Sequence, residues 1–422
     1  MPSRAGDEKA AEPVPPEIGP RASAVDWPTP RRGAYTLAVV ATHGSRPESS
    51  GLGADDLVLG EPARADPDQA AVVALVWREA PATPLIEEQI IERHRALREL
   101  GFDARVVFGL RAHQLPKGTD PGITAERCQN FGSLVQLAGR AIAGAQSDSG
   151  KPPILLCRSA APTVAAMTAR ALHRLPCKVV HDCRGWESAQ AREEGRAVAR
   201  MRKAALERIA LRGANHNVVV SATLMGVALS LGARPATTTL IPPLARPRTA
   251  GAHGDQPAQV IYVGDSRAFY QSRDVLQPFL VSLAERVPAA TFGWLDVAAS
   301  GEPEWLRENL WRRSLPPEAV ASQLEQASVA LLIRARSRTN AVAAPTKAGQ
   351  YLTAGCRILT TPFPVATAEI CTTTGAGRVL RSLDSDEWAQ AVRGSLDADQ
   401  RNAPADLYGR VIDRWSDLLR SL

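Results

Sequence analysis

The 422-residue sequence lacks the signals that mark membrane, secreted and nucleic-acid-binding proteins. No apolar run approaches the ~18–20 residues that are needed to span a bilayer. Residues 1–17 (MPSRAGDEKAAEPVPPE) contain no apolar stretch of the kind that forms a secretory signal. No lysine- and arginine-rich tract is interleaved with aromatic residues, so no nucleic acid is expected as a partner. We therefore expect a soluble, cytoplasmic protein.

The usual motifs of metal sites and nucleophilic enzymes are also missing. The six cysteines show no CxxC spacing, which argues against a zinc or disulfide framework and favours reduced, mostly buried thiols. No HExxH or carboxylate cluster indicates a metal ion, and no GxSxG motif indicates a serine nucleophile. Neither GxGxxG nor GxxxxGK[ST] occurs. We expect no metal and no resident cofactor.

Length and composition favour a globular protein with two domains. A chain of 422 residues is too long for one ordinary core, and two domains of ~150–200 residues are the natural expectation. The hydrophobic fraction of 45% excludes a wholly disordered chain. Residues 1–33 contain seven prolines and no apolar periodicity. We interpret residues 1–69 as a flexible, largely disordered tail, with one short candidate strand at 35–41.

Apolar runs of strand length alternate with helical patterns from residue 70 onward. The first run, AAVVALVW at 70–77, is continuously apolar, as expected where helices cover both faces of a parallel sheet. Further strands are predicted at 104–110, 154–157, 178–183, 217–221 and 237–243, and helices at 85–100, 163–172 and 188–211. The pattern predicts an N-terminal Rossmann-like domain over 70–245.

A second array follows a segment rich in proline, glycine and alanine, which we interpret as a linker at 246–258. Strands are predicted at 260–265, 290–295, 329–333, 357–361 and 378–383, and helices at 274–286, 318–326, 346–353, 385–394 and 404–422. Two successive βαβ arrays are typical of an α/β protein with two doubly wound domains that face a cleft. The second domain is predicted to span 259–403.

The most informative stretch is APTKAGQYLTAGCRILTT, residues 344–361. It predicts a short helix that begins after Pro345, ends at a glycine and leads directly into a strand. Lys347 lies in the first helical turn, where a bound diphosphate would meet both the positive end of the helix dipole and an ammonium group. The alternative is a surface lysine on a connecting helix.

A second candidate for anion binding is VGDSRAFYQSR, residues 263–273. A strand ends at Val263, the chain turns through Gly264, and Arg267 and Arg273 follow. Ligands of open α/β sheets bind beyond the carboxyl ends of the strands, and guanidinium groups suit bidentate contacts with phosphate. The alternative is two solvated arginines on a loop.

The segment HDCRGWE places four ionisable side chains directly after another apolar strand. His181, Asp182, Arg184 and Glu187 would crowd the rim of the cleft, and such crowding can tune protonation for acid–base chemistry. Arg158 ends the neighbouring strand and would point toward the same crevice. The alternative is a structural ion pair between Asp182 and Arg184, with His181 as a buried strand residue.

Basic residues are concentrated between positions 192 and 212, where seven lysines and arginines face three glutamates. A solvated helix face is one interpretation. The other is peripheral contact with an anionic membrane, because a basic amphipathic helix can lie on a lipid surface. In that case the protein is cytoplasmic and peripheral at the inner face of the membrane.

In their order along the chain, these motifs resemble those of glycosyltransferases with the GT-B fold, and they are similar to glycosyltransferase family 4. The resemblance spans about residues 70–422. It rests on ALERIALRGANHNVVVSATL, on VVHDCRGWES with its D-x-R-G strand end, on VIYVGDSRAFYQSRDVLQPF, and on residues 344–361. The last segment is similar to the donor-site signature P-x-K-x-x-E-Y-x-A-x-G-x-P-V-I of the family.

The sequence departs from the family pattern at two places that concern the donor. Gln350 stands where the signature has glutamate, whose carboxylate would accept hydrogen bonds from the nucleotide ribose. An amide can accept one without the charge, so we expect it to bind the ribose more weakly. The family's glycine-rich loop after the first strand is replaced by WREAPATPLIEEQ (77–89), and Arg357 replaces the usual proline.

The resemblance implies an enzyme that moves a sugar from a nucleotide-diphosphate donor to a glycan, lipid-linked or small-molecule acceptor in polysaccharide biosynthesis. It implies a hexosyltransferase type, retention of configuration, and no metal. The donor-binding residues would be Gly264, Arg267, Arg273, Lys347, Gln350 and Tyr351. The catalytic residues would be His181, Asp182 and Arg184, with Arg158 and Glu187 on the acceptor side. Residues 404–422 would pack back on the first domain.

An alternative from another functional class is a catalytically silent GT-B protein that serves as a binding or scaffold subunit in polysaccharide assembly. The glutamine at 350 and the missing glycine-rich loop motivate this alternative.

Overall fold

A computed structural model describes residues 70–77, 90–110, 122–243, 258–265, 273–397 and 407–422. All of them belong to one compact unit within residues 60–422. The predicted tail at 1–69 with its candidate strand, almost all of the predicted linker, and Arg267 lie outside the described residues. No helix in the described ranges is both long enough and apolar enough to span a membrane.

The first domain contains a seven-stranded parallel sheet with the order β3-β2-β1-β4-β5-β6-β7. The strands are β1 Val72–Trp77, β2 Ala104–Leu110, β3 Ile123–Arg127, β4 Ile154–Arg158, β5 Lys178–Cys183, β6 His216–Val219 and β7 Thr238–Leu240. The helices are α1 Glu92–Glu99, α2 Phe131–Ser149, α3 Ala160–His173, α4 Glu187–Glu193, α5 Ala197–Gly213 and α6 Ala222–Ser230.

The continuously apolar sequence of β1 is explained by burial of both faces of this sheet. Val72, Ala74 and Val76 pack into a core with Leu97 of α1. Val73 and Leu75 point the other way, into a core that α2 and α3 complete. Because successive side chains of a strand alternate between faces, a strand with two buried faces needs apolar residues throughout.

The second domain contains another seven-stranded sheet, with the order β10-β11-β9-β8-β12-β13-β14. Its strands are β8 Val260–Gly264, β9 Phe292–Asp296, β10 Glu304–Arg307, β11 Leu310–Arg313, β12 Val329–Leu332, β13 Arg357–Thr360 and β14 Gly377–Val379. Its helices are α7 Arg273–Arg286, α8 Pro317–Gln326, α9 Arg338–Val342, α10 Thr346–Thr353, α11 Val365–Thr374 and α12 Ser385–Leu396. Only the edge strand β10 is antiparallel to its neighbour among the described pairs.

The last helix, α13 Leu407–Ser421, packs on the first domain although it follows the second in sequence. Its apolar side chains join the core around β1 and β2, and Trp415 is 1% exposed. The guanidinium carbon of Arg93 on α1 lies 4.6 Å from the centroid of the Trp415 ring, which is a cation–π contact.

Two parts of the predicted first domain are corrected by the structure. The single helix predicted at 188–211 is two helices, α4 and α5, because the backbone adopts a positive φ of 70° at Gly195 between them. Helix α6 was not predicted, and neither were strand β3 and helix α2. The strand is polar and half-exposed at the sheet edge, and helix α2 has three glycines among its 19 residues.

The predicted fold class is confirmed: the chain consists of two Rossmann-like α/β domains. The prediction of mostly buried thiols is confirmed as well. All six cysteines are free, and only Cys177 is partly exposed.

Candidate functional site

The candidate site lies where the carboxyl ends of the strands of both sheets meet. In an open parallel sheet all strands end at one edge, and the loops beyond that edge form the binding crevice. In the first domain this edge carries Arg158 at the end of β4 and Arg184 just after β5. In the second domain it carries Gly264 at the end of β8 and the segment that leads from β12 into α9 and α10.

Hydrogen bonds hold the segment around α9 against the first domain. The Glu193 Oε1 atom of α4 accepts hydrogen bonds from the backbone N–H groups of Arg338, at 2.6 Å, and Thr339, at 3.3 Å. The Ser221 hydroxyl donates to the carbonyl oxygen of Val342 at 2.7 Å and accepts from the backbone N–H of Leu224 at 3.0 Å.

Apolar packing continues the same contact between the domains. Val342 is buried in a cluster with Cys183, Val219 and Leu224 of the first domain. Ala344 packs at the margin of this cluster. The segment that enters α10, where Lys347 lies in the first turn, therefore rests against the end of β5, where Arg184 follows.

An ionic cluster is buried at the end of β5. The Asp182 side chain is fully buried, with its Oδ2 atom 2.8 Å from the Nη1 atom of Arg93 and its Oδ1 atom 2.7 Å from the Nε atom of Arg184. Burial alone would raise the pKa of Asp182. The positive charges of Arg184, Arg93 and Arg158 outweigh that effect and hold the pKa well below its usual range.

Arg184 remains a cation in this environment and keeps donor capacity. Burial lowers its pKa to about 10, against the opposing effect of the Asp182 charge. Its Nε atom faces the Asp182 Oδ1 atom, and its Nη1 atom is buried without a hydrogen-bond acceptor among the described residues. The ion pair between Asp182 and Arg184, which the sequence left as an alternative, is present, and it leaves guanidinium donors at the edge of the sheet.

His181 is a neutral, buried side chain of β5. Burial lowers the pKa of its imidazole to about 4, although the Asp182 charge and the Asn217 amide act in the opposite direction. Its Nδ1 atom is buried without a hydrogen-bond partner among the described residues. A neutral imidazole offers one donor and one acceptor, so His181 can orient a polar group without being charged at physiological pH.

We expect the imidazole signal of His181 to titrate near pH 4 in an NMR experiment, with the His181→Asn variant identifying the resonance. An unfolded histidine takes up its proton near pH 6.5, about two units higher. Between these values the unfolded state binds more protons, so this group makes the fold less stable as the pH falls. A midpoint above about pH 6 would show an accessible, protonatable side chain instead.

Glu187 is the first residue of α4, and Arg158 is the last residue of the neighbouring strand β4. The Glu187 Oε1 atom accepts a hydrogen bond from the backbone N–H of Ala160, at 3.2 Å, and its Oε2 atom lies 4.0 Å from the Nζ atom of Lys203. Arg158 is 5% exposed and pairs in register with Asp182 across β4 and β5. Glu187 therefore braces the start of α3, while Arg158 adds positive charge to the buried cluster.

Tyr351 lies inside the second domain rather than at its surface. The ring is fully buried, and the hydroxyl accepts a hydrogen bond from the Val263 backbone N–H at 3.2 Å and donates to the Leu331 carbonyl at 3.4 Å. Tyr351 thereby joins α10 to β8 and β12 just before Gly264. Burial raises the pKa of its phenol well above the usual value.

Replacing Tyr351 with phenylalanine is expected to lower the free energy of unfolding by about 1–2 kcal/mol, because a buried backbone N–H loses its acceptor. Urea unfolding of the purified protein measures this change. Ser230→Ala, which removes an exposed hydroxyl on α6, should stay within about 0.5 kcal/mol of the parent. Equal stability of Tyr351→Phe and the parent would contradict this role for the hydroxyl.

The remaining residues that were predicted to bind the nucleotide-sugar donor are Lys347, Gln350, Gly264, Arg267 and Arg273. Lys347 and Gln350 are half-buried in α10, and the Gln350 carbonyl accepts the hydrogen bond from the backbone N–H of Ala354 that closes the helix. Gly264 is buried as the last residue of β8. Arg273 begins α7, and Arg267 lies outside the described residues.

Sequence reasoning missed a further arginine at this edge. Arg334 follows β12; its backbone N–H donates to the Thr361 hydroxyl at 3.0 Å, and its Nη1 atom lies 3.4 Å from the Asn340 side-chain oxygen. The signal was present as RARSR at 334–338, which places three arginines directly after an apolar strand. Arg93 gave no such signal, because it comes from a helix 89 residues before its partner Asp182.

No protein-family model matches the chain, and no curated protein matches its sequence. Solved structures do match. Sucrose-phosphate synthase from Thermosynechococcus elongatus has a TM-score of 0.59 at 11% identity, covering 83% of this chain and 97% of that one. HepE from Anabaena, in complex with UDP-glucose, has a TM-score of 0.58 at 13% identity, covering 83% and 100%. UDP-GlcNAc 2-epimerase from Methanocaldococcus jannaschii has a TM-score of 0.51 at 8% identity, covering 83% and 100%.

These similarities show that the chain has the GT-B fold of two Rossmann-like domains. Identities this low show the fold alone, and the fold hosts more than one reaction. Within the described residues, no group of three or more His, Cys, Asp and Glu side chains is arranged to hold a metal ion.

Proposed function

We propose that this protein is a glycosyltransferase of family 4 type that uses a nucleotide-diphosphate sugar as donor. The proposal rests on one observation: the carboxyl ends of the strands of the two sheets lie next to each other, and both carry basic residues. The segment that leads into α10 packs through Val342 and Ala344 in one cluster with Cys183, the last residue of β5. The GT-B fold adds support, since HepE, one of the similar structures, is a complex with UDP-glucose.

On the donor side, the diphosphate would lie at the first turn of α10. Backbone N–H groups at a helix N-terminus and the Lys347 ammonium would both face its negative charge. Gly264 at the end of β8 would allow close approach of the backbone, and Arg267 and Arg273 would add charge from the following segment. Gln350, one turn into α10, would lie near the ribose.

The chemistry asked of the protein is stabilisation of the departing diphosphate. As the bond between the sugar and the diphosphate breaks, negative charge develops on the leaving oxygen, and preorganised cations lower the energy of that transition state. Lys347 and the neighbouring arginines could do this without a metal ion. Retention of the anomeric configuration and a hexose as the transferred sugar are part of the same proposal.

On the acceptor side, His181 and Arg184 would form the polar rim. His181 would act as a neutral hydrogen-bonding group toward an acceptor or sugar hydroxyl, because burial keeps its imidazole uncharged. Asp182 would act as a positioning residue, since its carboxylate is already engaged by Arg93 and Arg184. Arg158 and Glu187 would support this rim, and the acceptor would be a glycan or a lipid-linked saccharide in polysaccharide biosynthesis.

Calorimetric titration of the purified protein with UDP and with GDP tests the donor site. We expect saturable binding of at least one of them, with a preference for one base. No binding of either nucleotide at millimolar concentrations would overturn the proposal. Gln350→Glu is a useful companion variant, because tighter binding would identify the glutamine as a weakened ribose contact and weaker binding as a specialised one.

The second candidate function is a catalytically silent GT-B subunit, and Gln350 is the observation that favours it. Hydrolysis and transfer assays with the nucleotide sugar distinguish the two candidates. Nucleotide binding with no release of nucleotide diphosphate from any UDP- or GDP-sugar would favour the silent subunit. Release that depends on Lys347 would favour the enzyme.

A further inference from the structure

The outer surface of α3 and α5 in the first domain combines exposed apolar side chains with a one-sided charge. The two helices pack side by side, with Ala160 and Val164 of α3 against Ala210 of α5. Their inner faces join the core, and their outer faces are open to solvent along most of α5. We call this outer face the α5 surface and define it by Val198, Met201, Arg202, Ala205, Arg208, Ile209 and Arg212.

Large apolar side chains are exposed on the α5 surface at helical spacing. Val198 is 77% exposed and Met201 66% exposed, and Ile209 is exposed as well. Positions 198, 201, 205 and 209 follow the spacing of one helix face, so these side chains form a stripe. The opposite face of α5 buries Glu207, Ala210 and Leu211. An apolar stripe that points away from the core needs another partner.

On α3 and α5 themselves, every exposed charged side chain is basic, although Glu187 of the adjacent helix α4 lies 4.0 Å from Lys203. Helices α3 and α5 contain one acidic residue, Glu207, and it is buried. Against it stand six basic residues: Arg170, Arg200, Arg202, Lys203, Arg208 and Arg212. The sequence has no acidic residue from 149 to 181, and Glu207 is the only one from 195 to 254. The protein as a whole is nearly balanced, with 50 basic and 44 acidic residues, so the positive charge is concentrated here.

We propose that the α5 surface docks on an anionic lipid surface. Apolar side chains flanked by arginines on one helix face match the boundary between anionic headgroups and acyl chains, where the arginines meet phosphate and the apolar side chains enter the lipid. An acidic protein partner would match the positive charge of the α5 surface. It would not account for the stripe of exposed apolar side chains, because the α5 surface has no groove that would receive the apolar side chains of a protein partner.

The inner face of α5 connects this surface to the candidate site. The Glu207 carboxylate accepts hydrogen bonds from the backbone N–H of Ser188, at 3.1 Å, and from its hydroxyl, at 2.5 Å. Ser188 is the second residue of α4, which directly follows the loop that carries Arg184. Since a helix with its side chains is about 10–12 Å across, a docked α5 would hold this loop about one helix diameter above the headgroups. A lipid-linked acceptor follows from this docking only together with the proposed function. The docking itself does not depend on the proposed function.

Co-sedimentation of the full chain with vesicles tests the docking. We expect binding to vesicles of phosphatidylcholine and phosphatidylglycerol in equal parts, and none to phosphatidylcholine alone. Raising the salt from about 0.15 M to about 1 M should release most of the protein, because the Debye length falls from about 8 to about 3 Å. The double variant Arg202→Glu, Arg208→Glu should lower the partition coefficient at least about tenfold.

Matched variants of the second domain distinguish a specific effect of the α5 surface on vesicle binding from an effect of the overall charge or hydrophobicity of the protein. Arg378→Glu, Arg381→Glu makes the same change of charge at exposed positions of that domain and should bind as the parent does. Val198→Ser, Met201→Ser should lose binding severalfold, and Val275→Ser, Val297→Ser, also at exposed positions, should not.

Each outcome of these measurements bears directly on the proposal. No binding of the parent to anionic vesicles overturns it, as does equal binding of the parent and the Arg202→Glu, Arg208→Glu variant. Full binding of Val198→Ser, Met201→Ser would overturn the insertion of apolar side chains. None of these readouts depends on nucleotide binding or turnover, so failure here is distinguishable from failure of the proposed function.

Discussion

Replacing Asp182 with asparagine is expected to lower the free energy of unfolding by about 3–5 kcal/mol, the largest change of any substitution proposed for this chain. The carboxylate is fully buried between Arg93 and Arg184. Removing its charge leaves the guanidinium groups of Arg93 and Arg184, which are 2% and 13% exposed, without their counter-charge. The asparagine has nearly the same shape, so the change reports charge rather than a cavity.

Urea unfolding at neutral pH measures this effect, and Asp148→Asn is its matched control. Asp148 pairs with Arg105 at 2.5 Å, but its side chain is more than half exposed, so its loss should cost at most about 1 kcal/mol. A loss below about 1 kcal/mol for Asp182→Asn would contradict a buried ion pair.

The pH dependence of the same variant supplies a second test. The pKa of Asp182 is held below its usual range, so its charge stabilises the fold above the pKa of an unfolded aspartate, near 3.9. As the pH falls below about 4, the unfolded state takes up the proton first and the contribution is lost progressively. The stabilities of the parent and Asp182→Asn should therefore converge on acidification and differ fully at neutral pH.

The parts of the fold that the sequence predicted well are those specified by local pattern. The apolar run of β5 and the helix α10 between a proline and a glycine were predicted with the same bounds that they have in the structure. The apolar run of buried residues marks both ends of β5 within a few positions. The proline and the glycine mark both ends of α10 in the same way. The hairpin of β10 and β11 was missed because the exposed edge strand β10, EWLR, carries no apolar run, and the buried strand β11, LWRR, has only two apolar residues.

The contacts that assemble the candidate site could not be predicted, because they join distant positions. Arg93 meets Asp182 across 89 residues, and Ser221 meets Val342 across 121. No local periodicity encodes such partners. The sequence did place ionisable residues at the strand end, since the end of a parallel strand is a local feature. It offered the ion pair between Asp182 and Arg184 as an alternative, but it could not supply Arg93, which engages the other carboxylate oxygen.

Lys347→Ala is expected to lower kcat/KM with the nucleotide-sugar donor by about 10²-fold, and to weaken binding of the nucleotide diphosphate as well. The reason is electrostatic and rests on the proposed function. The ammonium group lies in the first turn of α10, where the developing charge of the leaving diphosphate would be stabilised by the helix N-terminus and the lysine together. Removing one of two preorganised contributors should cost more in the transition state than in the ground state.

Lys178→Ala provides the matched control, because Lys178 is an exposed lysine at the amino end of β5, the edge of the sheet opposite the candidate site. Its kcat/KM should stay within about twofold of the parent, well inside a 1 kcal/mol change in barrier. Urea unfolding of both variants separates a folding defect from a catalytic one. If Lys347→Ala kept both turnover and nucleotide affinity, the diphosphate would not lie at α10. The anion site would then have to be sought at the arginines that follow β8 and β12, among them Arg334, whose substitution by alanine is the next measurement.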